Sequence, residues 1–249
     1  MTARDGQPGL PPFQLEVAQM FFALPASRGF LLAGGAALLA QHLTARPTED
    51  LDFFTAPQRG HVPAARDALE AAARQRGWST ERIHDSDTFC RMVIRSADSA
   101  VLIDLAVNAP PDLPASATPA GPTLAPEELA GNKLLALFDR AAARDFADIY
   151  ILARRFGKDV LLARAAQIDA GFDVRVLADM IATLDRFTDS EIPVPDGSSA
   201  AELRAFYASW RSELAAWPVS AGPGRSSELQ ARRYWRTSDI RSRYRRTGP

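Results

Sequence analysis

Gly34-Gly35-Ala36-Ala37-Leu38-Leu39-Ala40-Gln41-His42-Leu43-Thr44-Ala45-Arg46-Pro47-Thr48-Glu49-Asp50-Leu51-Asp52-Phe53-Phe54 is the stretch on which the reading of the chain turns. The apolar run Phe30-Leu31-Leu32-Ala33 precedes it and reads as a buried strand. The paired glycines let the backbone turn tightly and come close to a ligand. Residues 36–43 have the composition of a short helix, so Gly34 and Gly35 fall where free amide N–H groups would meet phosphate. Further on, the two-residue period of a strand puts Asp50 and Asp52 on one face, roughly 6–7 Å apart along the backbone, with Leu51 and Phe53 on the other. Two carboxylates so placed repel each other unless a cation lies between them, and an oxygen donor set of this kind suits Mg²⁺ shared with substrate phosphates. A phosphate cradle beside a metal clamp points to phosphoryl or nucleotidyl transfer.

The order of these features resembles the active-site signature of the DNA polymerase beta-like nucleotidyltransferase superfamily, in which a glycine turn opens a helix and an Asp-x-Asp strand follows. It is closer still to the AbiEii/AbiGii-type toxin nucleotidyltransferases, MenT-like toxins of toxin–antitoxin pairs included. The matching positions are Gly34, Gly35, Ala37, Leu38, Arg46, Thr48, Asp50 and Asp52. The resemblance covers about residues 30–156.

Composition bounds the alternatives. The chain has 249 residues, 47% of them hydrophobic, which is ample for a buried core. A formal net charge of −1 gives no global pull towards nucleic acid, so any such contact must come from local clusters of arginine. Cys90 is the only cysteine, which excludes an intramolecular disulfide and a cysteine zinc cluster and fits a core position beside Phe89. The start of the chain lacks the pattern of a secretory signal, and the apolar span 17–43 is interrupted by Pro25, Arg28 and the glycines. A cytoplasmic protein without a membrane helix is expected.

Along the chain, residues 13–24 have helical spacing ended by Pro25, and residues 62–77 read as an amphipathic helix stopped by Gly77. Segments 79–84, 89–95 and 100–107 are short strands separated by turn-forming clusters. The last of them is apolar except for Asp104 at its centre, where a carboxylate is costly unless paired or bound to a metal. The resemblance makes Asp104 the third catalytic carboxylate; the ordinary alternative is a buried salt bridge with Arg91 or Arg95. Residues 109–125 are proline-rich and nearly uncharged, a connector. Helical patterns follow from Pro126 onward, with Asp145 and Asp148 on one helix face and Phe146, Ile149 and Tyr150 on the buried one. The family resemblance extends to Lys133, as a triphosphate-binding lysine, and to Asp145 or Asp148 as the acid of the nucleotide site. The competing explanation is a surface lysine and an i,i+4 pair between Arg144 and Asp148. Tyr207, Trp210 and Phe206 read as core rather than a base-stacking platform.

The expected organisation is a flexible N-terminus at 1–12, a nucleotidyltransferase lobe at 13–108, the connector at 109–125, a helical C-terminal lobe at 126–217 and a basic, disordered tail at 218–249. Its fold class is α/β: a polymerase-beta-like lobe with a small mixed sheet, plus a helical C-terminal lobe. By resemblance, the chain would move NMP from an NTP to an acceptor hydroxyl, with tRNA as the acceptor and a cognate antitoxin as its partner. Asp50, Asp52 and Asp104 would hold one or two Mg²⁺, or Mn²⁺, while Gly34, Gly35, Arg46, Thr48, Lys133, Asp145 and Asp148 would bind the nucleotide. A small-molecule nucleotidyltransferase of the aminoglycoside-modifying kind, or an inactive nucleotide-binding module, are the alternatives.

Overall fold

The computed structural model describes residues 9–195 and 197–216; most of the N-terminal segment, Trp217 and the basic tail lie outside the described residues. The chain begins with α1 (Pro12–Ala23), which Pro25 stops, and β1 (Phe30–Ala33), which is buried because every side chain in it is apolar. Then α2 (Gly34–Ala40) starts at the first glycine itself, earlier than the composition of 36–43 predicts. It is followed by β2 (Asp50–Thr55), α3 (Val62–Gln75), β3 (Ser79–Asp85), β4 (Phe89–Arg95) and β5 (Ala100–Val107).

These strands join two more, β6 (Ser116–Thr118) and β7 (Gly121–Thr123), in one mixed sheet of order β3-β4-β5-β2-β1-β7-β6. The β2–β5 and β1–β7 pairs are parallel and the remaining neighbours antiparallel. One face of the sheet, carrying Leu51, Phe53, Met92, Ile103 and Leu105, is sealed from solvent. There α1 sets the Phe21 ring 4.2 Å from that of Phe53, and α3 is tied to β3 by Arg82 donating to Glu70. The other face carries Asp50, Asp52, Asp104 and Arg91.

The stretch expected as a plain connector therefore holds a hairpin that widens the sheet, with Thr123 alongside Leu32 of β1. Beyond it come α4 (Pro126–Arg140), α5 (Ala143–Phe156), α6 (Lys158–Ile168), α7 (Val174–Ala182) and α8 (Ala200–Ala215). Ala141, in the left-handed region at φ 43°, separates α4 from α5. Past Ala182 the chain tightens into a 3₁₀ turn, Thr183–Arg186, where the sequence pattern predicts continued helix. Tyr207 and Trp210 of α8 are buried, and the Tyr207 hydroxyl donates to the Phe146 carbonyl at 2.7 Å, so they are core. Buried side chains from Val17 to Leu214 form one contiguous apolar core. Among the described residues no helix is long and apolar enough to cross a membrane.

Candidate active site

The antiparallel register pairs Ala33 with Asp52, which brings the Asp52 carboxylate against the turn at Gly34. Gly34 has φ +62°, and a Cβ there would be driven into that carboxylate. Glycine is thus required twice, for the backbone angle and for the closeness of the acid. A Cβ on Gly35 would come within 2.8 Å of the Thr48 hydroxyl, so the second glycine admits the loop that carries Thr48.

Thr48 fixes the other aspartate. Its Oγ1 donates to Asp50 Oδ1 at 2.7 Å, and its own carbonyl accepts from Gln14 Nε2 at 2.7 Å. Thr48 is buried by this arrangement, and in the structure it braces the acidic strand.

Asp104 stands level with Asp52 on the parallel neighbour β5, and Arg91 stands level with Asp104 on β4. Arg91 donates to both Asp104 oxygens, Nε at 2.8 Å and Nη2 at 2.6 Å, with both side chains buried. The salt-bridge alternative therefore describes the Asp104 carboxylate: it lies beside the Asp50–Asp52 pair, and the Arg91 guanidinium neutralises it. The Asp104 bond and, with smaller effect, the charges of Asp52 and Asp50 raise the Arg91 pKa against the opposing effect of burial.

Three further cations come from the second half of the chain and the 41–49 loop, each held by a buried acid of α5. Asp148 of α5, fully buried, accepts from Arg46 Nε at 3.0 Å and Nη2 at 2.9 Å, and from Lys133 Nζ at 2.8 Å. Burial raises the Asp148 pKa, but Lys133 and Arg46 outweigh it and hold the carboxyl below its ordinary range. Lys133 is buried on α4 rather than a surface lysine. Asp145 accepts from Arg140 Nε at 2.8 Å and Nη2 at 2.9 Å, and from the Ala142 amide at 3.2 Å, so it also caps the first turn of α5. Its burial is likewise outweighed, here chiefly by Arg140, and its pKa is lowered. Burial lowers the Arg140 pKa, but the bond to and charge of Asp145, then the charges of Asp52 and Asp50, raise it on balance, so Arg140 lies within electrostatic reach of the acidic strand.

Of the two acids singled out on α5, Asp148 joins Lys133 to Arg46, and Asp145 carries Arg140. Sequence reading did not single out Arg140 or Gln14 as functional. Arg140 had a signal, an arginine five residues before an acid across a helix break; the Gln14 contact spans a long sequence separation and had none. Cys90 is buried beneath the sheet, and its thiol is pushed up to about 12, first by burial and then by the Asp85 charge, as suits an inert core residue.

The donors fit a magnesium ion carried in with a nucleotide. Among the described residues no three His, Cys, Asp or Glu side chains form a ready-made cage. Mg²⁺, however, is commonly held by one or two carboxylates with phosphate and water completing its shell, and Asp50 and Asp52 on one strand face supply such a pair. Asp104 fits that set less well, because both its oxygens lie in the Arg91 fork.

Comparison with known proteins agrees with this geometry. The family model described as "Nucleotidyl transferase AbiEii toxin, Type IV TA system" matches residues 19–222. The fold is similar to that of JHP933 from Helicobacter pylori, with TM-score 0.52 and 18% identity over 83% of this chain and 95% of that one. A second H. pylori structure, described as a candidate nucleotidyltransferase, superposes with TM-score 0.51 and 18% identity over 82% of this chain and 94% of its own. No curated protein matches. The chain belongs to the AbiEii nucleotidyl transferase toxin family of type IV toxin–antitoxin systems, and it is a nucleotidyltransferase.

Proposed function

We propose that the protein transfers a nucleoside monophosphate from an NTP to a hydroxyl of tRNA, with release of pyrophosphate, and that a cognate antitoxin restrains it in the cytoplasm. The observation that carries this reading is a division of charge: Asp50 and Asp52 share one face of the sheet, while Arg46, Lys133 and Arg140 are held by the buried carboxylates Asp148 and Asp145, with Arg46 and Arg140 within electrostatic reach of the acidic strand. A triphosphate with its divalent ion has the complementary pattern.

Asp50 and Asp52 would hold Mg²⁺, one ion or two, with Mn²⁺ as a substitute; the bound metal would neutralise phosphate charge and acidify the acceptor hydroxyl. Thr48 keeps Asp50 in one rotamer, and Gly34 lets Asp52 approach the turn whose amides, at Gly34 and Gly35, would face phosphate. Lys133, oriented by Asp148, would neutralise the charge that builds on departing pyrophosphate, and Arg140 would bind the same group from the other side. The acceptor oxygen bonds to the α-phosphorus as the bond from that phosphorus to the bridging oxygen breaks, and the hydroxyl proton passes to base or water. Asp104 contributes through Arg91, as a fixed wall beside Asp52.

Purified protein incubated with Mg²⁺, total tRNA and each labelled NTP in turn tests the reading. Label on tRNA is the expected result. Label on a small hydroxylated compound such as an aminoglycoside, with tRNA untouched, overturns the acceptor.

A further inference from the structure

Gln14 lies on the buried side of α1 together with Val17, Ala18 and Phe21, at a place in the helix where packing alone calls for an aliphatic side chain. Its Nε2 donates to the Thr48 carbonyl at 2.7 Å, whereas its Oε1, also buried, meets no hydrogen-bond donor among the described residues. A buried polar atom without a partner is unfavourable, so an apolar residue of the same length would suit the packing better. What Gln14 adds is its bond to Thr48.

That bond falls where the chain has little regular structure to hold it. Pro47 has no amide N–H, and β2 begins only at Asp50, so the Thr48 carbonyl lies outside the strand. Side chains take the two carbonyls there: Arg46 Nη1 donates to that of Pro47 at 2.9 Å, and Gln14 to that of Thr48. Gln14 thereby sets the plane of the peptide that follows Thr48. Thr48 is β-branched, with few χ1 choices for a given backbone, and its Oγ1 packs so closely on Gly35 that a Cβ there would come within 2.8 Å of it. The backbone orientation is therefore passed on to Oγ1, which donates to Asp50 Oδ1 at 2.7 Å. We infer that Gln14 is a positioning residue for metal binding: acting through Thr48, it holds the Asp50 carboxylate in the orientation that receives a divalent ion. The inference rests on the proposed role of Asp50 as a metal ligand and adds the group that fixes it.

The test is calorimetric titration with the α,β-methylene analogue of each NTP, which cannot release pyrophosphate, in Mn²⁺ and again in EDTA. The ratio of the two affinities measures the contribution of the metal without turnover. Groups that orient a metal ligand typically change metal affinity by about 10–100-fold, so Gln14→Met, equal in length and unable to donate, should shrink the ratio by about tenfold. It should leave the affinity in EDTA unchanged and melt at or above the wild-type temperature, because it also removes the unpartnered Oε1. Gln14→Leu should behave in the same way. Thr48→Val, which keeps the branched shape and loses the hydroxyl, should shrink the ratio at least as far, and Gln14→Met/Thr48→Val no further than Thr48→Val alone. A ratio kept at the wild-type value in both Gln14 variants overturns the inference, as do additive losses in the double variant. Equal losses in Mn²⁺ and in EDTA, or a lowered melting temperature with the ratio kept, would make Gln14 a support of the loop and nothing more, and overturn it too. A wild type that gains no affinity from Mn²⁺ with any analogue overturns the metal reading itself, together with the inference that rests on it, and is recognised before any variant is made.

Discussion

Asp148→Asn is the substitution whose effect can be worked out furthest. The wild-type carboxylate is fully buried and joins Arg46, from the loop before β2, to Lys133 on α4, at 2.8 to 3.0 Å. Asparagine keeps the shape and one acceptor oxygen but leaves two cations facing each other without a counter-charge. Removing one partner of a buried pair costs about 3–5 kcal/mol, against roughly 0–1 kcal/mol for an exposed pair. Side-chain exposures of 19% for Arg46 and 10% for Lys133 admit some water to the stranded cations, which favours the lower end. The expected loss is about 3 kcal/mol, or about 6–12 °C in melting temperature for a chain of this size. Glu213→Gln, which breaks the exposed Lys158–Glu213 pair, is the control and should cost no more than about 1 kcal/mol.

Because the folded pKa of Asp148 is depressed, its contribution is present above the unfolded value of about 3.9 and is lost as pH falls through the folded one. The variant should therefore show a flatter acid limb than the wild type. Adding Lys133→Met to Asp148→Asn removes one stranded charge and should restore about 1–2 kcal/mol, the coupling expected of residues in one network. Thermal and denaturant unfolding followed from pH 7 down to about pH 2 measures all of this. A loss within about 1 kcal/mol of zero for Asp148→Asn, together with additivity in the double variant, would refute the claim that this carboxylate locks the loop to α4.

Gly34→Ala forces a side chain into the left-handed region, at about 1–2 kcal/mol, and pushes the Asp52 carboxylate aside. Turnover should fall by about 10²-fold while the fold survives, read by rate and by circular dichroism. Under the proposed reading Arg140→Met removes a phosphate-binding cation and should lower kcat by about 10²-fold, besides destabilising the fold by stranding the buried Asp145. Cys90, with its thiol pushed up to about 12, should resist iodoacetamide at pH 8 and react once the chain is unfolded. A raised folded pKa also means that its stabilising effect is full below the unfolded value of about 8.5 and declines as pH rises beyond it, a decline that Cys90→Ala should flatten.

What the sequence disclosed about the fold follows the range of the interactions involved. The Gly34-Gly35 turn, the alternating Asp50 and Asp52 and the three strands after α3 are set by neighbours a few residues away, and local pattern predicts them. The 116–123 hairpin was hidden, because Pro119 and Pro122 are poor strand formers and its place comes from a distant partner, Leu32. The same limit applies within the site. Periodicity puts Asp145 and Asp148 on one face of α5, and nothing nearby in sequence distinguishes them. Only tertiary packing gives one of them Arg46 and Lys133, and the other Arg140.

Asp104 marks where strand pattern stops being informative. Alternation and parallel register place it next to Asp52, and every sequence argument about a third carboxylate ends at that adjacency. Which group its oxygens meet is decided one strand further out, by whether β4 presents an arginine at the matching position. It does, with Arg91, and the two bonds at 2.8 and 2.6 Å neutralise an acid that would otherwise add a third negative charge beside Asp50 and Asp52. Truncating Arg91 would remove that compensation. Arg91→Met should therefore destabilise the fold by about 3–5 kcal/mol, as an unpaired buried charge does, whereas Arg91→Met with Asp104→Leu should recover most of the loss. If the double variant is as unstable as the single, the pair is not what fills this wall of the site.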